Sequence, residues 1–216
     1  MDEEVTIIDS NSRNQKTKIF LINNKKILIV GFSIILILII GFLSLKEIKK
    51  QNKIKIANQF NTVTINFKTE EAQITIDQLT KLIKENDVTY SPLALYFLID
   101  NNLIDSQDEI NSLFDKVINK TDLDPEIKNL VIYKKALFNS DSETKDADNL
   151  VIMLAPITGS VSIWKSHALY LLAEYFYSKN QKQKAKEYFN KILILPKANS
   201  YIKEESKKRL NRDFGE

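Results

Sequence analysis

His167, Tyr170, Glu174 and Tyr177 fall three, four and three residues apart on one predicted helix. That spacing aligns an imidazole, two phenolic hydroxyls and a carboxylate along a single stripe. Such a stripe can hold an extended or helical peptide by ring stacking and hydrogen bonding. It is poorly suited to catalysis. His167 and Glu174 are seven residues apart, about two turns, too far for the carboxylate to orient the imidazole. His167 is also the sole histidine, and the chain has no cysteine. Thiol nucleophiles, disulfide frameworks and the common zinc and iron–sulfur ligand sets are therefore excluded. Four glycines occur; Gly31 and Gly41 lie in an apolar run, and Gly159 and Gly215 cannot build a phosphate-binding loop. The expectation is a protein without enzymatic chemistry, cofactor, metal or small-molecule substrate. With 31 Lys+Arg against 28 Asp+Glu and a net charge of +3, the mixed charge gives no basis for a nucleic-acid partner either.

The elements that must position the stripe are helical. Beyond the apolar run, hydrophobic residues recur at three- and four-residue intervals, and Pro92, Pro125, Pro156 and Pro196 punctuate the pattern. Asp124-Pro125-Glu126 reads as an N-cap, a first-position proline and an acid in the first turn. The periodicity predicts helices near 46–67, 70–86, 90–103, 107–119, 125–139, 145–155, 162–178, 182–195 and 200–211. The best strand candidate, Thr62 to Lys68, can equally continue the first helix. The fold class is all-α.

A repeat runs through these helices. Ala185, Phe189 and Ile192 recur as Ala147, Val151 and Leu154, as Ile110, Phe114 and Val117, and as Ala72, Ile76 and Leu79, at steps of 37 or 38 residues. Leu169, Leu172, Ala173 and Phe176 on the partner helix match Ala94, Phe97, Leu98 and Asn101, whereas the middle unit puts Lys134 and Lys135 on that frame. A near-constant step of this size is the signature of stacked helical hairpins.

Ahead of them, Ile27 to Leu45 is 19 residues without a charge, about 28 Å of helix, enough to cross a bilayer core. Lys25 and Lys26 flank it on one side, Lys46, Lys49 and Lys50 on the other. Too long for a signal-peptide core and lacking an A-x-A-like site, it reads as a retained transmembrane helix. Orientation stays open, because Arg13, Lys16, Lys18, Lys25 and Lys26 balance Lys46, Lys49, Lys50, Lys53 and Lys55.

From Ser166 to Pro196 the chain resembles a tetratricopeptide repeat. Ala173 and Ala185, twelve apart, occupy the close approach of that family's paired helices, with Phe176 and Phe189 beside them and Pro196 as terminator. Asn180 stands where glycine is usual, Ile192 replaces a small residue, and the period exceeds 34. The whole layout, with Trp164-Lys-Ser-His-Ala and a basic C-terminal helix, resembles the ancillary SecYEG translocon subunit family of alphaproteobacterial type. The resemblance implies a bacterial inner-membrane protein with a cytoplasmic tail and a periplasmic domain. Its implied partners are the SecYEG translocon and periplasmic chaperones or client polypeptides. A scaffold for envelope or cell-division assembly is the alternative. The expected organisation is a disordered tail (1–24), a transmembrane helix (25–45), a stalk helix (46–67), a tetratricopeptide-like hairpin domain (68–198) and a capping helix (199–216).

Overall fold

The computed structural model describes residues 15–140 and 147–215. Among them there is no strand. Beyond Asn24, the described residues form nine α-helices in order: α1 Lys25–Ile65, α2 Ala72–Lys84, α3 Tyr90–Asp100, α4 Gln107–Lys120, α5 Pro125–Ser140, α6 Ala147–Thr158, α7 Lys165–Ser178, α8 Lys182–Leu193 and α9 Ser200–Phe214. The expected tail falls partly outside the described residues; its part at 15–23 is helical and closes at a turn at Asn24. There the Asn24 side-chain amide donates to the Phe20 carbonyl at 2.9 Å. The chain divides into two units between Lys55 and Ile56.

In the first unit, α1 carries a stretch of mean hydropathy 3.0, none of it buried by protein, and it is long and apolar enough to cross a membrane. Within it, Ser33 Oγ donates to the Ile29 carbonyl at 2.9 Å, so this hydroxyl does not depend on lipid for a partner.

The second unit starts earlier than the sequence places the domain. Ile56, Phe60 and Val63, the last turns of α1, already pack against buried Leu79, Ile83, Leu95, Leu98, Phe114 and Val117. A second cluster gathers Ala136, Leu154, Ile157, Leu172, Ala173, Phe176, Ala185, Phe189 and Leu210. Each helix packs on the next from α2 to α9, α1 adjoining them through Ile56 and Phe60, and α7 with α8 is the most intimate pair.

Short turns enforce the alternation. Asn86, Asn102 and Asn180 take φ of 54°, 50° and 58° just past α2, α3 and α7. In a chain with four glycines, asparagine fills the left-handed position that ends a helix. After α7 the Gln181 N–H reaches back to the Phe176 carbonyl at 2.8 Å, closing the turn in the six-to-one pattern. Helix starts are capped by side chains: Asp124 Oδ1 accepts from the Glu126 N–H at 2.9 Å and Ser106 Oγ from the Glu109 N–H at 3.2 Å. The helix read as 145–155 instead runs on to Thr158 with Pro156 inside its last turn. The last turn tolerates this because only one intrahelical bond is forfeited there.

In the second unit α3, α5, α7 and α9 share one direction. Rings of Phe60 and Tyr90 lie 5.6 Å apart and those of Phe67 and Phe97 5.5 Å apart, which sets the segment 60–67 parallel to α3. Between α4 and α5, Asn111 and Asn139 exchange amide hydrogen bonds of 3.1 and 2.7 Å, and Lys135 meets Asp115 at 2.6 Å, so these two run antiparallel. Glu126 at the start of α5 accepts from Ser162 Oγ, just before α7, at 2.8 Å. Ser166 in the first turn of α7 accepts from the Asn199 N–H, just before α9, at 3.2 Å. The first turns of α3, α5, α7 and α9 therefore lie at one end of the second unit, the end at which Ile56 stands.

Candidate functional site

Along the seams between successive odd-numbered helices runs a band of half-buried aromatic and charged side chains. Between α3 and α5, the Lys134 ammonium lies 4.3 Å from the centre of the Tyr96 ring. Between α5 and α7, Tyr133 stacks on Trp164 with centroids 6.0 Å apart, and His167 touches both rings, at 6.0 and 5.3 Å. Between α7 and α9, Arg209 forks onto Glu174 through Nε at 2.7 Å and Nη2 at 2.8 Å. The same guanidinium lies 4.4 Å from the Tyr177 ring centre and also donates to Asp213. Cation over ring and planar fork on carboxylate are the geometries in which these groups attract most strongly.

The four residues of the predicted stripe all face this band, but they do not form an open row. Tyr170 meets Phe189 of α8 edge-on at 5.6 Å. Tyr177 meets Phe214 of α9 edge-on at 5.9 Å. Glu174 is engaged by Arg209, and only His167 lies on the side away from α9. Of the residues that the spacing assigns to packing between paired helices, Ala173, Ala185 and Phe189 are fully buried and Phe176 nearly so. Lys25, Lys26, Lys46, Lys49 and Lys50 are exposed.

Chemically, the band can stack and hydrogen-bond. Among the described residues no group of three His, Asp or Glu side chains is placed to hold a metal ion. His167 and Glu174 are not brought together, since the Glu174 carboxylate is turned to Arg209. Burial raises the Tyr170 hydroxyl, with Glu174 adding to it, to a pKa of about 12. Burial likewise raises Tyr133. These phenols stay neutral donors across the physiological range.

His167 titrates in the opposite sense. Burial against Tyr133 and Trp164 pulls its pKa below the ordinary histidine value, and the Ile163 backbone offsets only part of this. Its Nδ1 is buried without a partner at hydrogen-bonding geometry. A folded-state pKa below the unfolded one means that the native state binds fewer protons. Its contribution to stability is present above the unfolded value of about 6.5 and is lost as pH falls through the folded value. Denaturation midpoints between about pH 7.5 and 5.5 should therefore fall with acid in the wild type and less steeply in His167→Gln. Parallel slopes would place the imidazole in water.

Tyr96, Tyr133, Lys134 and Arg209 belong to the band but are not marked by the stripe. The signal for Lys134 and Lys135 is their place on a frame of buried positions. Long side chains there need a ring or a carboxylate to end on, and Tyr96 and Asp115 supply them. Comparison of the chain with family models, with curated proteins and with solved structures finds no match.

Proposed function

We propose that this chain is a single-pass membrane protein whose second unit is a tetratricopeptide-like stack of helical hairpins used as a docking platform, without chemistry of its own. The band of Tyr96–Lys134, Tyr133–Trp164–His167 and Glu174–Arg209–Tyr177 is the observation that carries the reading. It repeats one kind of seam, aromatic with cation or imidazole, at three successive junctions of parallel helices, as a stack of like units does. The buried positions support the same reading. Ile132, Ala136 and Asn139 precede Leu169, Ala173 and Phe176 by 37 residues, and all six are buried. A step of 37 also sets Ala136 opposite Ala173, in place of Lys135, and leaves Lys135 opposite Leu172 as the one frame position that carries a charge.

Half-buried tyrosines and a tryptophan suit recognition of polypeptide, because each offers a large apolar face at small rotameric cost together with a polar edge. The resemblance of Leu154 to Arg212 to the ancillary SecYEG translocon subunit family supplies the partners: the channel, and periplasmic chaperones or emerging chains. The tail is then cytoplasmic and the domain periplasmic.

Purification of the full chain from native membranes in mild detergent tests this. Channel subunits or a periplasmic folding factor should co-purify, and recovery of wall-synthesis or outer-membrane assembly machinery instead would assign the chain to envelope scaffolding. A reporter active only outside the cytoplasm, fused after Glu216, should be active; an inactive, stable fusion would place the domain in the cytosol.

A further inference from the structure

The end of the domain at which the chain arrives, beside Ile56, is uneven in character. Its far sector is made by the loop before α7, the end of α8 and the start of α9. There Val161 is 94 % exposed, Ile194 80 %, Ile163 66 % and Tyr201 66 %. Residues 159–165 and 191–203 contain Lys165, Lys191, Lys197 and Lys203 and no aspartate or glutamate. Glu204 and Glu205 come next on α9 and share Lys208, at 3.2 and 2.9 Å, and Glu126, which also reaches this sector, is taken up by Ser162 Oγ and the Ile163 N–H. Acids of the same end, Asp87, Asp122 and Asp124, lie in the loops before α3 and α5. Between Lys165 and Lys191 lies an open cavity of about 470 Å³, lined also by Leu169, Tyr188, Ile194, Leu195 and Pro196.

Exposed aliphatic side chains interleaved with lysines, the neighbouring acids being paired, are the pattern of a surface that rests on an anionic bilayer. Apolar groups enter the acyl boundary while ammonium groups meet phosphates. The covalent geometry brings a bilayer within reach, since ten residues, 46–55, lie between Leu45, the end of the apolar run, and Ile56. That is at most about 40 Å of chain. We propose that this sector docks on the anionic phospholipid surface of the membrane that holds α1, with a lipid phosphate in the cavity between Lys165 and Lys191. The proposal rests on the reading of Ile27 to Leu45 as membrane-embedded. It adds a second, reversible contact that fixes how the platform is presented.

The chain contains a single tryptophan, Trp164, and it stands in this sector. Its fluorescence therefore reports the contact without a label. The full chain is placed at one copy per lipid nanodisc, in phosphatidylcholine alone or with phosphatidylglycerol, each with brominated acyl chains as quencher. Co-elution with the discs tests the anchor by itself. A chain that fails to co-elute removes the anchor and the docking together. With the anchor in place, Trp164 emission should shift to the blue and be quenched only in discs containing phosphatidylglycerol. High salt should reverse this. Lys191→Gln with Lys197→Gln should weaken it about fivefold per lysine, and Val161→Ser with Ile194→Ser should reduce the quenching at unchanged helicity. Equal emission in both kinds of disc, or insensitivity to both pairs of substitutions, would overturn the proposal. So would a shift that arises only when two copies share a disc, which would give the sector to a second chain.

Discussion

Phe189→Ala is expected to destabilise the domain by about 3–5 kcal/mol, the range for emptying a fully buried phenyl site. That is a large part of the roughly 5–15 kcal/mol that holds a domain of this size together. The ring has no exposed surface. It receives the edge of Tyr170 at 5.6 Å, meets Phe214 at 6.2 Å, and has the Arg209 guanidinium 5.8 Å from its centre. It thus joins α7, α8 and α9, and no single neighbour can move in to fill the space. Phe189→Leu, which keeps most of the volume, should cost roughly 1–2 kcal/mol. Urea titration of the full chain in a neutral detergent reads both. A loss under about 1 kcal/mol for the alanine variant would mean that the three helices are not tied at this ring.

The second large effect is expected at Arg209. Its side chain is 13 % exposed and that of Glu174 35 %, so the pair is screened by water on the carboxylate side only. Removing one partner of a fully buried pair costs about 3–5 kcal/mol. Discounted for the wet side, Arg209→Met should cost about 2 kcal/mol. Arg209→Lys should recover little of this, because an ammonium can neither fork onto two carboxylate oxygens nor lie flat on Tyr177. Restoration of stability in Arg209→Met combined with Glu174→Gln would identify the isolated carboxylate as the source of the loss. The consequence for binding follows from position: α9 covers Tyr170, Glu174 and Tyr177, so loosening it exposes the row that the sequence singles out. Arg209→Met should raise capture of extended peptides by the full chain, measured by fluorescence anisotropy. Unchanged capture alongside a confirmed loss of stability would leave α9 as a cap and nothing more.

The helices were legible because their periodicity, caps and prolines agree. Pro125 opens α5 and Asn180 ends α7, each at the position its backbone preference dictates. The break between anchor and domain was less so. The apolar run stops at Leu45, but α1 continues through charged residues to Ile65, and what ends the first unit is where Ile56 and Phe60 find apolar partners. Composition cannot encode a partner's location. The stripe on α7 was legible as spacing, since the four residues do share a face. What covers it was not, because Arg209 and Phe214 are some 35 residues on and nothing local pairs them with Glu174 and Tyr177. Lys134 shows the reverse case. It looked like a break in the repeat, and it ends on Tyr96 because a long aliphatic stem can cross a buried position and deliver its charge to a ring.

We expect the hairpins of the second unit to follow one another in an open stack, each seam made between neighbours. Pulsed electron-electron distances between spin labels at Leu93, Ile127, Ile163 and Tyr201, all near the first turns of α3, α5, α7 and α9, test it directly. Helix spacings of 8–10 Å predict neighbouring labels separated by on the order of 10 Å and the outermost pair, Leu93 with Tyr201, by about 30 Å. A Leu93–Tyr201 distance as short as that between neighbours would mean that the ends meet in a closed bundle, and would contradict the account.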